Sequence, residues 1–214
     1  MRTETNSYQG PLAPVTLCVL AGGMSRRMGP VNKLLLDYQG QPLVRHVVRQ
    51  ALGANCGPVH VVTGYQSEQV EKALQGLPVQ LVHNPDYAQG QAASVRVAAS
   101  IDPQAALMVL LGDMPGVSPA IVAEVVQAWR VLGDFQARHL AVVRPRFDGK
   151  TGNPVLWGPG WLPRLRQLQG DEGARRLLTG NLVTITTVPV GSTGIFADID
   201  QPSDLPGFDM RLPA

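Results

Sequence analysis

Short runs of branched apolar residues, each closed by glycine or another turn former, recur along the first two thirds of this chain. Val15-Thr16-Leu17-Cys18-Val19-Leu20 runs into Ala21-Gly22-Gly23, Val59 to Thr63 into Gly64, and Val79 to Val82 into His83-Asn84-Pro85. Leu107 to Leu111, the most apolar run, is stopped by Gly112-Asp113-Met114-Pro115. Near-continuous apolar runs of strand length are what a parallel sheet covered on both faces requires.

Amphipathic segments fill the gaps. Pro42 opens Leu43 to Ala54, where Leu43, Val44, Val47, Val48 and Ala51 recur at helical spacing, and proline suits a first helical turn. Ser67 to Leu74 reads as a short helix, and Gly90 to Ser94 leads into a helix of small residues through Ala99. Ser118-Pro119 supplies an N-cap and a first-turn proline for a helix whose Ile121, Val122, Val125, Val126 and Trp129 share one face. Trp129 is therefore read as core. The alternation predicts an α/β fold, a three-layer sandwich around a mostly parallel, twisted, Rossmann-like sheet.

Beyond Val143 the pattern loosens. Residues 144–160, rich in Gly and Pro, read as a loop or hairpin excursion. Helices around Trp161 to Leu168 and Asp171 to Leu178 and a strand from Val183 to Val188 follow. Without an internal repeat or a linker, the expectation is a flexible tail over residues 1–14 and one domain over 15–214.

Composition removes several classes of function. The net charge is only +2, and no dense Lys/Arg block with interleaved aromatics is present, so nucleic acid is not the expected partner. The longest apolar runs fall far short of a membrane span, and the polar N-terminus has no signal-peptide pattern. Two cysteines, Cys18 in an apolar run and Cys56 in a glycine-flanked loop, do not make a disulfide framework. A cytoplasmic protein is expected.

In open α/β sheets ligands bind beyond the carboxyl ends of the strands. Three segments place polar groups there: the loop Leu20-Ala21-Gly22-Gly23-Met24-Ser25-Arg26-Arg27-Met28-Gly29, then Gly112-Asp113, then Asp198-Ile199-Asp200. Glycines let backbone N–H groups approach phosphate oxygens, while Arg26, Arg27 and Lys33 would neutralise their charge. The spacing is neither that of a P-loop nor the dinucleotide fingerprint. The plainer alternative is a glycine turn carrying solvated arginines. A carboxylate after an apolar strand is costly to bury unpaired, so Asp113 either caps a turn or ligates Mg²⁺. Asp200 follows the same logic, and Asp204 reads as a turn or helix-start residue. His46 and His60 lie on regular elements and read as structural, and Cys18 as core.

Taken in order, the motifs resemble a known family. Leu20-Ala21-Gly22-Gly23-x-Ser25-x-Arg27-Met28-Gly29-x-x-x-Lys33 is similar to the signature of NTP transferases with a nucleotide-diphospho-sugar-transferase-like fold. Asn84-Pro85 with Gly90 and Ser94, Gly112-Asp113-Met114-Pro115, Gly152-Asn153-Pro154-Val155, Gly170-Asp171-x-Gly173-Ala174-Arg175 and Asp198-Ile199-Asp200 resemble the molybdenum cofactor nucleotidyltransferases. Gly22-Gly23 is similar to guanylyltransferase members, whereas Asn32-Lys33-Leu34-Leu35 and the Gly90 and Gly170 segments look more like the cytidylyltransferase branch.

The resemblance implies a nucleotidyltransferase using Mg²⁺, with CTP favoured over GTP and a phosphorylated pterin as acceptor. The loop from Leu20 to Gly29 would hold the nucleotide, with Arg27 and Lys33 on its phosphates. Gly64, Asn84 and Ser94 would lie near the nucleoside, Asp113 and Asp200 would bind the metal, and Gly152-Asn153-Pro154 would border the acceptor. A molybdoenzyme or its chaperone would receive the product. Among the scattered cations of the second half, Arg144, Arg146 and Arg175 are candidates for receiving an anionic acceptor, with a solvated surface as the plainer reading. A sugar or alditol phosphate acceptor and a nucleotide-binding chaperone or regulator are the competing functions.

Overall fold

Val15 begins a strand, β1 (Val15–Ala21), that is buried along its whole length. Its side chains alternate between two cores. Leu17, Val19 and Ala21 join one cluster, and Cys18 and Leu20 join the other. Both faces of the sheet are therefore covered, as a purely apolar strand demands. The computed structural model describes residues 14–170, 173–179 and 183–212. The tail expected over residues 1–14 lies outside these except for Pro14, as does Asp171.

The glycine loop after β1 leads to a small hairpin, β2 (Asp37–Tyr38) with β3 (Gln41–Pro42), and then to α1 (Leu43–Gly53). Pro42 stands at the N-cap, one position ahead of the helix that it was expected to open. β4 (Val59–Thr63), α2 (Ser67–Ala73), β5 (Gln80–His83), α3 (Gln91–Ala98) and β6 (Ala106–Leu111) follow. α4 (Pro119–Arg130) starts as its sequence predicts, with the Ser118 side chain accepting from the Ile121 N–H and Pro119 in the first turn. Trp129 is buried, and its Nε1 donates to the Arg138 carbonyl over 2.9 Å. α5 (Phe135–Leu140) was not expected; its entire apolar face is short, but Asp134 caps it by accepting from Ala137 N–H at 2.8 Å.

The segment read as a loop or hairpin excursion is built into the main sheet. It contributes β7 (Val142–Phe147), β8 (Lys150–Thr151) and β9 (Val155–Trp157), and it does contain a hairpin, β7 with β8. β9 lies antiparallel between β6 and β7, joining them where they do not pair directly. Three residues are too few to show a period, and the Gly and Pro content belongs to the connections. Asp148 and Gly149, both at positive φ, form the tight turn from β7 to β8. α6 (Leu162–Leu165), preceded by a tight turn over Pro159–Trp161, is shorter than expected. α7 (Arg175–Leu178) is one helical turn, and β10 (Ile185–Pro189) begins two residues late.

The sheet order is β10-β7-β9-β6-β1-β4-β5, with β8 on β7. β1 pairs in parallel with both β4 and β6, and β5 and β10 add in parallel at the two ends. α1, α2 and α4 pack on one face, and α3 and α6 with Trp157 and Trp161 pack on the other. The fold is thus α/β, with a mostly parallel sheet between two helical layers. Among the described residues no helix is long and apolar enough to cross a membrane. The chain leaves β1 in one direction toward β4 and β5, then returns to its other side at β6. That reversal opens a crevice beyond the carboxyl ends of β1 and β6.

Candidate functional site

The loop that leaves β1 turns on residues with unusual backbone freedom. Ser25 sits in the left-handed region at φ 49° and Gly29 at φ 69°, bracketing a tight turn over Arg26–Met28. Buried Met28 pins that turn to the core, so the arginines on either side of the apex project outward. Ser25 Oγ accepts from the Lys33 N–H at 3.3 Å, which folds the loop back toward Lys33. Asn32 caps the next turn by accepting from Leu34 N–H at 3.1 Å, and Lys33 is thereby presented from a buried position.

Behind the loop stands a brace. A Cβ on Gly22 would lie 3.2 Å from Ser94 Oγ, and a Cβ on Gly64 would lie 2.5 Å from Tyr87 Cβ. Glycine at these two positions lets the ends of β1 and β4 close against each other, and Tyr65 N–H donates to the Gly22 carbonyl at 3.3 Å. Asn84 is buried; its Nδ2 donates to Ser94 Oγ at 3.1 Å and its Oδ1 accepts from Asp86 N–H at 3.0 Å. Ser94 faces a cavity, while Gly64 and Asn84 sit behind it and act on the loop through Gly22 and Ser94.

Charges converge where the three strand-end segments meet. The Lys33 ammonium lies 2.7 Å from Asp113 Oδ2 and 3.4 Å from Asp200 Oδ1, and the Arg27 guanidinium also pairs with Asp200. Asp113 Oδ1 is buried and has no hydrogen-bond partner among the described residues. The C-terminal segment carrying Asp200 is held by backbone bonds: Ile199 N–H donates to the Asp113 carbonyl, and the Asp204 carboxylate accepts from both Asp200 and Gln201 N–H at 2.9 Å. Asp204 is thus a turn residue whose work is to hold Asp200. Among the described residues no group of three or more His, Cys, Asp or Glu side chains could hold a metal.

Two cavities adjoin this cluster. The first, about 400 Å³, is bounded by the glycine loop, Lys33, Gln91, Ser94, Asp113 and Asp200. The second, about 950 Å³, is bounded by Arg144, Asn153, Trp157, Arg175 and Asp198 among others. Leu20, Arg27, Gln91 and Leu111 face both. Volumes of this order are those of small-molecule sites. Asn153 is fixed by its N–H on the Ile195 carbonyl at 2.9 Å, while Gly152 is packed so closely that a Cβ would lie 2.4 Å from that same oxygen. Pro154 and Gly152 frame the second cavity without lining it.

Of the three arginine candidates, Arg144 and Arg175 line the second cavity, and Arg146 is exposed elsewhere. Arg144 donates its Nε to the Gly152 carbonyl at 3.1 Å. Burial, and then the charge of Arg175, lower its pKa. Gln91 and Trp157 were not singled out from the sequence. Trp157 lay in a stretch without legible period, and Gln91 was read only as the lead into a helix. Cys18 is fully enclosed, and burial pushes its thiol up to about 12, so it is no nucleophile. His46 Nε2 donates to the Pro115 carbonyl over 3.3 Å and His60 pairs with Gln80 at 3.0 Å, both away from the cluster.

Comparison with known proteins points the same way. Residues 17–185 match the MobA-like NTP transferase domain. The chain is 27% identical over 195 residues to the Molybdenum cofactor cytidylyltransferase of Escherichia coli (strain K12), covering 90% of this chain and 94% of that protein. It is also 27% identical over 188 residues to the Nicotine blue oxidoreductase of Paenarthrobacter nicotinovorans, covering 87% and 92%. A solved nucleotidyl transferase from Methanothermobacter thermautotroptrophicus matches with a TM-score of 0.76 at 25% identity, over 91% of this chain and 94% of that one. Sequence, fold and relatives agree: the chain belongs to the MobA-like NTP transferase family and is a nucleotidyltransferase.

Proposed function

We propose that this enzyme transfers CMP from CTP to the phosphate of molybdopterin, or of its molybdenum-loaded form, and releases pyrophosphate. The observation that carries the reading is the meeting of Lys33, Arg27, Asp113 and Asp200 at the switch point of the sheet, between two adjoining cavities. The smaller cavity, floored by the glycine loop, would take the nucleotide, and the larger would take the acceptor. The choice of CTP and of a pterin acceptor is supported by the name of the Escherichia coli relative.

Such a transfer needs little covalent help from the protein. An oxygen of the acceptor phosphate bonds to the α-phosphorus, the α–β bridging bond breaks, and its electron pair leaves on pyrophosphate. The nucleophile is already an anion, so no general base is required. The barrier is the approach of one anion to another, which positioning and fixed positive charge reduce. The backbone N–H groups of the loop from Gly22 to Gly29 would hold phosphate oxygens, Lys33 would reach the α-phosphate, and Arg27, facing both cavities, would sit between donor and acceptor.

Mg²⁺ fits the residues present. Among the described residues Asp113 has a buried oxygen without a partner, and Asp200 faces the same ammonium. Two carboxylates, with substrate phosphates and water completing the shell, are a usual donor set for this hard cation. When bound there it would neutralise phosphate charge and polarise the α-phosphorus. Lys33, which bridges both carboxylates, would then turn from them toward phosphate.

The nucleotide-bearing product would pass to a molybdoenzyme or its chaperone in the cytoplasm. The test is pyrophosphate release from each NTP with Mg²⁺, with molybdopterin, with sugar or alditol phosphates, and with no acceptor. Release with CTP and molybdopterin is expected. Release with GTP alone would move the enzyme to the guanylyl branch, and release only with sugar phosphates would overturn the pterin acceptor. No release with any pair would overturn the reading.

A further inference from the structure

The larger cavity has two positively charged ends, and the transfer chemistry uses only one of them. Arg27 stands at the end shared with the nucleotide cavity. Arg144 and Arg175 stand at the other. Strand pairing shows how far apart these ends are. β6 and β7 both pair with β9, and Val142 and Leu107 both stand opposite Trp157. Arg144 is thus level with Val109, four residues before Asp113 along β6, and two strand spacings to the side, about 10 Å. An attacking phosphate placed at the α-phosphorus lies beyond the reach of a single group held by Arg144.

We propose that Arg144 and Arg175 form a second anion-receiving site, so that the acceptor is held at both ends, by its reacting phosphate near Arg27 and by an anionic group at its far end. Arg144 lines the cavity with its Nε committed to the Gly152 carbonyl, which fixes the plane of the guanidinium fork. A bidentate oxyanion matches that fork. Burial first, and the charge of Arg175 second, lower the pKa of Arg144, and an anion between the two arginines would offset both. Val109, Val155 and Trp157 give the span between the ends an apolar floor. Asp198, two residues before Asp200, also lines the cavity. The site thus measures length as well as charge. This inference rests on the larger cavity being the acceptor cavity.

The experiment is calorimetric titration of the full chain with alkanediol bisphosphates of graded length and with the matching alkyl monophosphates, with and without a non-hydrolysable CTP analogue and Mg²⁺. Bisphosphate affinity should peak at one length, about tenfold or more above the monophosphate. Arg144→Gln and Arg175→Gln should each remove most of that advantage while leaving the monophosphate within about twofold. Arg175 is exposed, so its variant reports on binding even if Arg144→Gln folds poorly. Bisphosphate affinity rising with charge but showing no optimal length would overturn the proposal, as would equal weakening of both ligands by either variant. If the CTP analogue fails to bind while the length optimum persists, the nucleotidyl-transfer assignment of the smaller cavity falls and the two-ended site stands.

Discussion

The Ile199 backbone N–H donates to the carbonyl of Asp113 over 3.0 Å, stitching the C-terminal segment to the turn that closes β6. One residue later comes Asp200, whose carboxylate meets Lys33 and Arg27. A carboxylate distant in sequence is thus brought beside Asp113 through a main-chain bond between two turns. The Asp204 side chain adds to that main-chain bond by accepting from the Asp200 and Gln201 N–H groups.

Replacement of Asp113 by Asn keeps the size of the side chain and removes its charge. Lys33 would lose its nearer partner, and one of the two carboxylates proposed to bind the metal would go. We expect kcat for CTP-dependent transfer to fall by a factor of about one hundred or more, since charge stabilisation by a metal site is worth several kcal/mol. Steady-state pyrophosphate release measures it; near-normal turnover would remove Asp113 from the site.

Asp204→Ala acts one step further out. It strips two backbone N–H groups of their acceptor, costing about 1 kcal/mol of stability. The segment bearing Asp200 should loosen, weakening Mn²⁺ binding several-fold, while Asp204→Asn, which keeps an acceptor oxygen, restores most of it. Thermal melts and a Mn²⁺ titration followed by electron paramagnetic resonance separate the two effects. Unchanged metal affinity in the Ala variant would make Asp204 a cap and nothing more.

Gly116 and Gly194 press backbone on backbone. A Cβ added at Gly116 would stand 2.6 Å from the Gly194 Cα, whereas one at Gly133 would meet nothing within 4 Å. Gly116→Ala should therefore destabilise the fold by about 1–3 kcal/mol, and Gly133→Ala should stay within about 0.5 kcal/mol. Urea midpoints of the two variants decide it, and equal shifts would contradict the close approach.

Acid should weaken the fold through two histidines. The pKa of His46 is lowered from 6.5 first by burial and further by Arg49, against the opposing Pro115 carbonyl. His60 is lowered by burial, against opposing effects of Gln80 and Asp102. The unfolded chain therefore binds protons more readily than the folded one. Stability is full above pH 6.5 and is lost as pH falls from there through the folded-state values. Urea denaturation across that window should show the midpoint falling, with a shallower fall in His46→Gln. A variant as pH-sensitive as the parent would exclude His46 as a source.

Much of this architecture was legible in the sequence because fully buried strands announce themselves. β1, β4 and β6 are buried and mostly apolar, and the faces of α1 and α4 recur at helical spacing. β9 was not legible: a three-residue strand has no period, and its neighbours in sequence are glycines and prolines. The hairpin β2–β3 and the helix α5 escaped for the same want of length. At the site, Lys33, Asp113 and Asp200 could be named from their residue types and positions at strand ends. That one ammonium bridges both carboxylates depends on three separated segments meeting, which spacing does not encode. Nor could the sequence show that Gly64 and Asn84 stand behind the cavity and Gln91 in front of it.

The reversed strand β9 has a mechanical side. Among the described residues, the four parallel strands from β5 to β6 and the parallel pair β7–β10 share no direct pairing, and sheet continuity between them passes through Val155, Leu156 and Trp157. The larger cavity spans that seam, with Leu111 on one side and Arg144 on the other. A tilt of one block against the other would load these three residues together with α4, which packs on β7, β9 and β10, and would change the cavity's width. The seam is a rivet, and its stiffness sets the tolerance with which the two mouths of the enzyme are aligned.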